Sequence, residues 1–207
     1  SNKSFEKIKV INEENIKEIR TTYFEDLFSY INQEDKQKIY IDKLPLNIVY
    51  IGEILRIFPH AKFIISLRHP CDCVLSCFMQ NFKLNNSMSN FLNLKDTAVT
   101  YDLIMSLLKI YKIKFNFNFF EIKYEKLISN FNDEIKNLLD FLELPWDNSV
   151  LEYQKTADKR DRIFTPSYDQ VIKPLYSKSA GRWIKYKNKL SNVYPILEPW
   201  IKEFNYE

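Results

Sequence analysis

Apolar residues recur along the chain at two spacings, and each switch between them marks a new element. Over residues 12–33, Ile16, Ile19, Tyr23, Leu27 and Tyr30 fall every three or four positions and predict a helix with one apolar stripe. Asn12 is placed to cap it, with Asn15 standing where a capping box usually carries an acid. Lys38-Ile39-Tyr40-Ile41 predicts a short strand, closed by Asp42-Lys43-Leu44-Pro45. Helical spacing returns over residues 47–58, with Ile48, Ile51, Leu55 and Phe58 inward and Pro59 as the stop. The run Ala61-Lys62-Phe63-Ile64-Ile65-Ser66-Leu67 then reads as a buried strand ending at Arg68. His69-Pro70-Cys71-Asp72 turns the chain, and Cys73-Val74-Leu75-Ser76-Cys77-Phe78 begins a helix.

The Asn-rich residues 83–93 predict a loop or lid. Residues 94–112 form a long helical pattern with Ala98, Tyr101, Ile104, Met105 and Leu108 inside and Asp102 on the outer face. A Phe-rich strand over 116–122 ends at Lys123-Tyr124. Helices are expected at 132–142 and 148–155, an extended surface segment at 160–174, and helices again at 180–190 and 194–204. Strands alternating with helices predict an α/β fold in three layers around a mostly parallel sheet. No repeat and no linker divides the pattern, so residues 1–207 are expected to form one domain.

Composition narrows the functional classes. At 207 residues the chain is long enough to bury a core, and 45% hydrophobic content excludes a mainly disordered chain. A net charge of +3 gives a nucleic-acid role no bulk electrostatic support. No apolar run approaches the roughly 20 residues of a membrane span, and no signal-peptide pattern is present, so a cytoplasmic protein is expected. The polar start Ser1-Asn2-Lys3 lacks Met and reads as the beginning of an excised piece. Cys71, Cys73 and Cys77 are odd in number and clustered, which argues against a disulfide framework. With two histidines at no zinc spacing, they read as buried thiols in a reducing compartment, and no metal is expected.

Candidate chemistry concentrates where the strand 61–67 meets its helix. A strand feeding a helix through a short loop presents ligand groups at the carboxyl edge of an α/β sheet. Arg68 offers a forked, permanently charged donor there and Ser76 a hydroxyl, a pair suited to a phosphate dianion. An arginine capping a sheet edge beside an ordinary helical serine fits the same residues. The order P-x-A-K-x-I-x-x-x-R-x-P over residues 59–70, with a serine eight residues past the arginine, resembles the 3′-phosphate-binding segment of sulfotransferases. Those enzymes use 3′-phosphoadenosine-5′-phosphosulfate (PAPS).

Five further segments resemble that family in the same order, together covering about residues 39–190. Asp42-Lys43-Leu44-Pro45 looks like the Asp-Lys-x-Pro signature of bacterial and tyrosylprotein-type members, and the resemblance implies that Lys43 contacts the transferring sulfuryl group. An ammonium there stabilises charge that accumulates during transfer; a solvated lysine at a strand end is the plainer alternative. Lys123-Tyr124-Glu125-Lys126-Leu127 resembles Tyr-Glu-Asp-Leu, with Lys126 in place of the Asp, and implies that Tyr124 lies near the adenosine. Leu144-Pro145-Trp146-Asp147 also recurs in the family and reads as packing. Ser167-Tyr168-Asp169-Gln170-Val171-Ile172-Lys173-Pro174 resembles the tyrosylprotein type and implies that Ser167 faces the sulfuryl group. Ser177-Lys178-Ser179-Ala180-Gly181-Arg182-Trp183 looks like the C-terminal Gly-Arg-Trp segment, which would bring Arg182, with Lys178 as helper, to the 3′-phosphate. Gly181 would let the backbone approach that phosphate closely.

One part of the family pattern is missing. Sulfotransferases begin with a strand and a Gly-rich, P-loop-like loop that cradles the 5′-phosphosulfate with backbone amides. This chain has only Gly52 and Gly181, and the tyrosylprotein type's catalytic glutamate after that loop is absent too. Residues 1–35 instead resemble the helical lead-in before Asp-Lys-x-Pro. The expectation is therefore an N-terminally incomplete sulfotransferase fold holding the 3′-phosphate and adenosine half of a PAPS site, inactive by itself. Its acceptor hydroxyl, on protein tyrosine, carbohydrate or small molecule, stays open. A non-catalytic nucleotide-binding or scaffold module of the same fold is the alternative. A nucleotide kinase would need a Gly-Lys-Ser/Thr loop that is not present.

Overall fold

A computed structural model describes residues 12–31, 39–153 and 179–206. They divide between two compact units. The first contains residues 12–63 and 107–118, and the second contains residues 64–106 and 119–206.

The first unit opens with α1 (Glu13–Ser29), held at its start by the expected capping box: Asn12 and Asn15 each accept the other's backbone N–H through the side chain. Reciprocal capping satisfies two donors that a helix start otherwise leaves without partners. The predicted stripe holds in part: Ile16, Tyr23 and Leu27 are half-buried, whereas Ile19 and Tyr30 are exposed. Phe24 and Phe28, stacked on each other, widen the inward face, with Tyr23 and Phe24 edge-on to Phe58 and Phe28 edge-on to Tyr40. Aromatic area outweighs the aliphatic spacing here, because each ring buries more surface and gains from oriented ring pairs. Arg20 Nε donates to the Ile57 carbonyl, tying α1 to the end of α2 (Ile51–Ile57).

Residues 39–44 carry no strand; the predicted strand at 38–41 is corrected to an irregular segment, with Lys38 outside the described residues. Ile39 and Ile41 are both exposed, and the other face of the segment rests on Tyr40 against Phe24 and Phe28 of α1, with no strand among the described residues beside it to pair. The helix expected over 47–58 is a 3-10 turn, Pro45–Tyr50, followed by α2. Ile51 is buried, and a Cβ on Gly52 would stand 3.3 Å from the Tyr111 ring, so this helix packs at close range. Tyr111 Oη also donates to the Val49 carbonyl at 2.8 Å.

In the second unit β1 (Phe63–Leu67, its first residue belonging to the first unit) leads to α3 (Pro70–Met79). Next come α4 (Leu94–Lys114, whose last eight residues belong to the first unit), β2 (Phe119–Lys123), α5 (Tyr124–Ser129) and α6 (Phe131–Leu142). After residue 178 follow a 3-10 turn (Arg182–Tyr186), α7 (Lys187–Leu190) and α8 (Tyr194–Glu203). Among the described residues the sheet is the parallel pair β1–β2. Ile65, Leu67, Val74, Leu75, Ala98, Tyr101 and Ile122 form the core, with Leu197, Trp200 and Ile201 contributed by α8. Asp102 is not on a purely outer face: half-buried, it accepts a 2.7 Å hydrogen bond from the Trp200 indole. A buried indole N–H needs such a partner. Within the helix expected at 148–155, Asn148–Glu152 form a 3-10 turn, while residues 154–155 and the segment 160–174 lie outside the described residues.

Candidate functional site

The strand-to-helix turn after β1 carries the site. Pro70 opens α3, where its missing N–H costs nothing, and His69 caps the helix by accepting the Cys71 amide on Nδ1 at 3.2 Å. Arg68 therefore leaves the strand end immediately before a fixed helix start. Its Nη2 donates to the Ser179 carbonyl and lies 4.0 Å from Asp72 Oδ1, and its guanidinium stands 5.5 Å from the centroid of the Tyr124 ring. A guanidinium over a tyrosine face gains cation–π attraction and is held flat. Nε of Arg68 is buried without a hydrogen-bond partner among the described residues. A charged donor in that state is costly unless something else takes it.

The turn Arg182–Tyr186 packs on α3, and Asp72 makes the junction. Asp72 is 1% exposed, and its two oxygens accept the backbone N–H groups of Gly181 and Trp183, each at 2.7 Å. Gly181 has φ +69° and ψ 13°, a left-handed conformation, and this explains the glycine directly. Trp183 stacks on the His69 ring at 4.7 Å. Arg182, between those two anchored residues, is exposed and reaches Met79 Sδ with Nη2 at 3.6 Å. Ser76 is half-buried on α3, one turn from Asp72 and three residues before Met79, so it shares their side of the helix.

Polar groups behind Arg68 complete the cluster. Glu125 accepts the His69 N–H on Oε1 at 3.0 Å, while its Oε2 and the Tyr206 hydroxyl are buried without partners of normal hydrogen-bond geometry. The same carboxylate is still close enough to hold the Tyr206 phenol up, after burial, which is the larger cause. His69 is held below the ordinary histidine range by burial, against the opposing pull of Asp72 and Glu125. Burial pushes the Cys71 thiol up to about 12, which makes it inert as a nucleophile near neutrality. Cys77 moves down instead, through a hydrogen bond with Cys73 and the nearby Arg68 charge.

Of the predicted site residues, the second unit places Arg68, Tyr124 and Gly181 near the start of α3, Ser76 on the helix, and Arg182 toward its end at Met79. Lys43 belongs to the first unit, where it is exposed on the irregular segment next to Asp42. Ser167 and Lys178 lie outside the described residues. Asp72, Glu125 and Trp183 are parts of the site that sequence reading missed. A cavity of about 610 Å³ in the first unit, lined by Lys17, Arg20, Phe24, Phe28 and Tyr40 among others, contains none of the predicted site residues. Among the described residues no cluster of three metal-ligating side chains occurs, and no helix is long and apolar enough to cross a membrane.

Residues 2–148 match the profile described as Sulfotransferase family. An uncharacterized protein of Aquifex aeolicus is 34% identical over 164 residues, which cover 79% of this chain and 21% of that protein. Protein-tyrosine sulfotransferase 1 of Danio rerio is 23% identical over 171 residues, covering 80% of this chain and 48% of the relative. Protein-tyrosine sulfotransferase of Drosophila melanogaster is 28% identical over 67 residues, 30% of this chain and 13% of its own length. The chain spans about a fifth and about half of the first two of these relatives.

Proposed function

The chain belongs to the sulfotransferase family, and from that premise we propose that it holds the 3′-phosphate and adenosine half of a PAPS site serving sulfuryl transfer to an acceptor hydroxyl. The three-layer, P-loop-like arrangement of the family is part of the same proposal. When bound, PAPS supplies an activated sulfuryl group. This chain's residues bind and orient. Arg68 and Arg182 would meet the 3′-phosphate with charge-assisted donors, Ser76 with its hydroxyl, and Lys178 as a further cation. Tyr124 would lie against the base, and the left-handed Gly181 would leave the backbone open toward the anion. Lys43 and Ser167 would face the sulfuryl group, Lys43 stabilising negative charge as it develops. The names of two relatives, both protein-tyrosine sulfotransferases, favour a protein tyrosine as acceptor.

The observation that carries this reading is Arg68 itself. Tyr124, Asp72 and Ser179 orient it, yet its Nε has no hydrogen-bond partner among the described residues. A positioned cation with an unused donor fits a phosphate oxygen, which accepts strongly and offsets the cost of burying that donor. Calorimetry is the test. The chain should bind 3′,5′-adenosine diphosphate at least about tenfold more tightly than AMP, as expected for one or more charge-assisted bonds. Arg68→Ala should abolish most of that difference, and equal affinity for the two nucleotides in the unaltered chain would refute the reading.

A further inference from the structure

Resting on that reading of Arg68, we propose that Asp72 is a positioning residue that joins Arg68 and Arg182 into one anion clamp. A carboxylate that is 1% exposed is expensive to bury unless its charge is compensated. Here both oxygens are committed, Oδ2 to the Gly181 N–H and Oδ1 to the Trp183 N–H, at 2.7 Å each. Those two amides flank Arg182, so the carboxylate fixes the backbone on either side of the exposed cation. The same Oδ1 lies 4.0 Å from Arg68 Nη2, which in turn donates to the carbonyl of Ser179, two residues before Gly181.

Two stretches far apart in sequence are thereby tied at three backbone points. Trp183 adds a fourth through its stack on His69. With its two oxygens taken by amides, Asp72 contributes geometry without occupying Arg68 Nε, which has no hydrogen-bond partner among the described residues. Packing alone would not need a carboxylate for this. An apolar side chain would fill the space but leave two buried N–H groups without acceptors.

Asp72→Asn keeps the shape and turns one acceptor into a donor facing an N–H. The expected result is a loss of about tenfold in the preference for 3′,5′-adenosine diphosphate over AMP, measured by calorimetry on the whole 207-residue chain. AMP affinity should stay within about twofold, because AMP lacks the phosphate that the clamp holds. In an Arg182→Ala background Asp72→Asn should cost little further preference, since residues acting through one another are not additive. A purely structural Asp72 would lower the melting temperature and leave the preference intact, and that outcome overturns the proposal. Full additivity with Arg182→Ala overturns it too. If Asp72→Asn does not fold, Asp72→Glu retains the charge while displacing both acceptors, and the same loss is expected; an undiminished preference there is equally fatal. An Arg68→Ala variant that keeps the preference would defeat the underlying reading itself, a different result from failure at Asp72 alone.

Discussion

Lys43 is exposed in an irregular segment whose neighbour Asp42 accepts from the Asn47 amide at 3.3 Å. An exposed ammonium contributes little to stability, so any function must show in turnover. If Lys43 stabilises charge on the transferring group, Lys43→Ala should reduce kcat by roughly a hundredfold, a usual loss for one such donor. Nucleotide affinity should change far less, because the interaction strengthens mainly in the transition state. Steady-state kinetics on a form of the protein that turns over separates the cases: unchanged kcat and KM would leave Lys43 as a solvated lysine. At this scale the structural positions of Arg68, at a strand end, and of Gly181, at the start of a helical turn, were legible in sequence. Asp72 was not. An acid in the first turn of a helix reads as a routine complement to the helix dipole, and its two donors lie more than a hundred residues downstream.

Elements were read best where the period was long. α4 and α6 follow their 3.6-residue stripes within two residues of expectation, because apolar faces of that length leave no other register that buries them. The segment at 38–41 failed for the opposite reason: four alternating residues specify a strand only if a partner pairs with them. The start of α3 supports a pH prediction. His69 is buried and held below its ordinary range by desolvation, so the folded chain binds its proton less readily than the unfolded chain does. Stability should therefore be intact above the unfolded value near 6.5 and fall as pH drops below it toward the folded value. His69→Asn keeps a capping acceptor without a titrating ring, and its melting temperature should vary less between about pH 7 and pH 5. Equal slopes for the two proteins would remove His69 from the account. In the adjoining turn, Gly181→Ala forces a side chain into φ +69° with only Ile184 Cδ1 nearby at 3.4 Å, so backbone strain decides the outcome. Denaturant unfolding should show a loss of about 1–2 kcal/mol.

Across the molecule, the alternation of strands and helices announced an α/β chain, and the described residues bear it out with a strand–helix–strand order around β1 and β2. The number of sheet layers could not be read the same way, because hydrophobic runs announce strands but not their partners. The grouping of the described residues into two compact units has no counterpart in composition along the chain. Catalysis tests the molecule as a whole. In the proposed reading the residues along α3 address the nucleotide's 3′-phosphate, whereas transfer also requires stabilising charge at the 5′ end, where backbone amides of a Gly-rich loop would serve. The 207-residue sequence contains two glycines: Gly52 is packed against Tyr111 and Phe115, and Gly181 sits at Asp72. Neither belongs to such a loop. The chain alone should therefore bind 3′,5′-adenosine diphosphate and gain thermal stability from it, by about 2.7 kcal/mol at a hundredfold excess over Kd. It should nevertheless transfer no labelled sulfuryl group from PAPS to a tyrosine peptide above background. Transfer by this chain would mean that its own residues supply the 5′ stabilisation, while absence of both binding and transfer would count against the nucleotide site altogether.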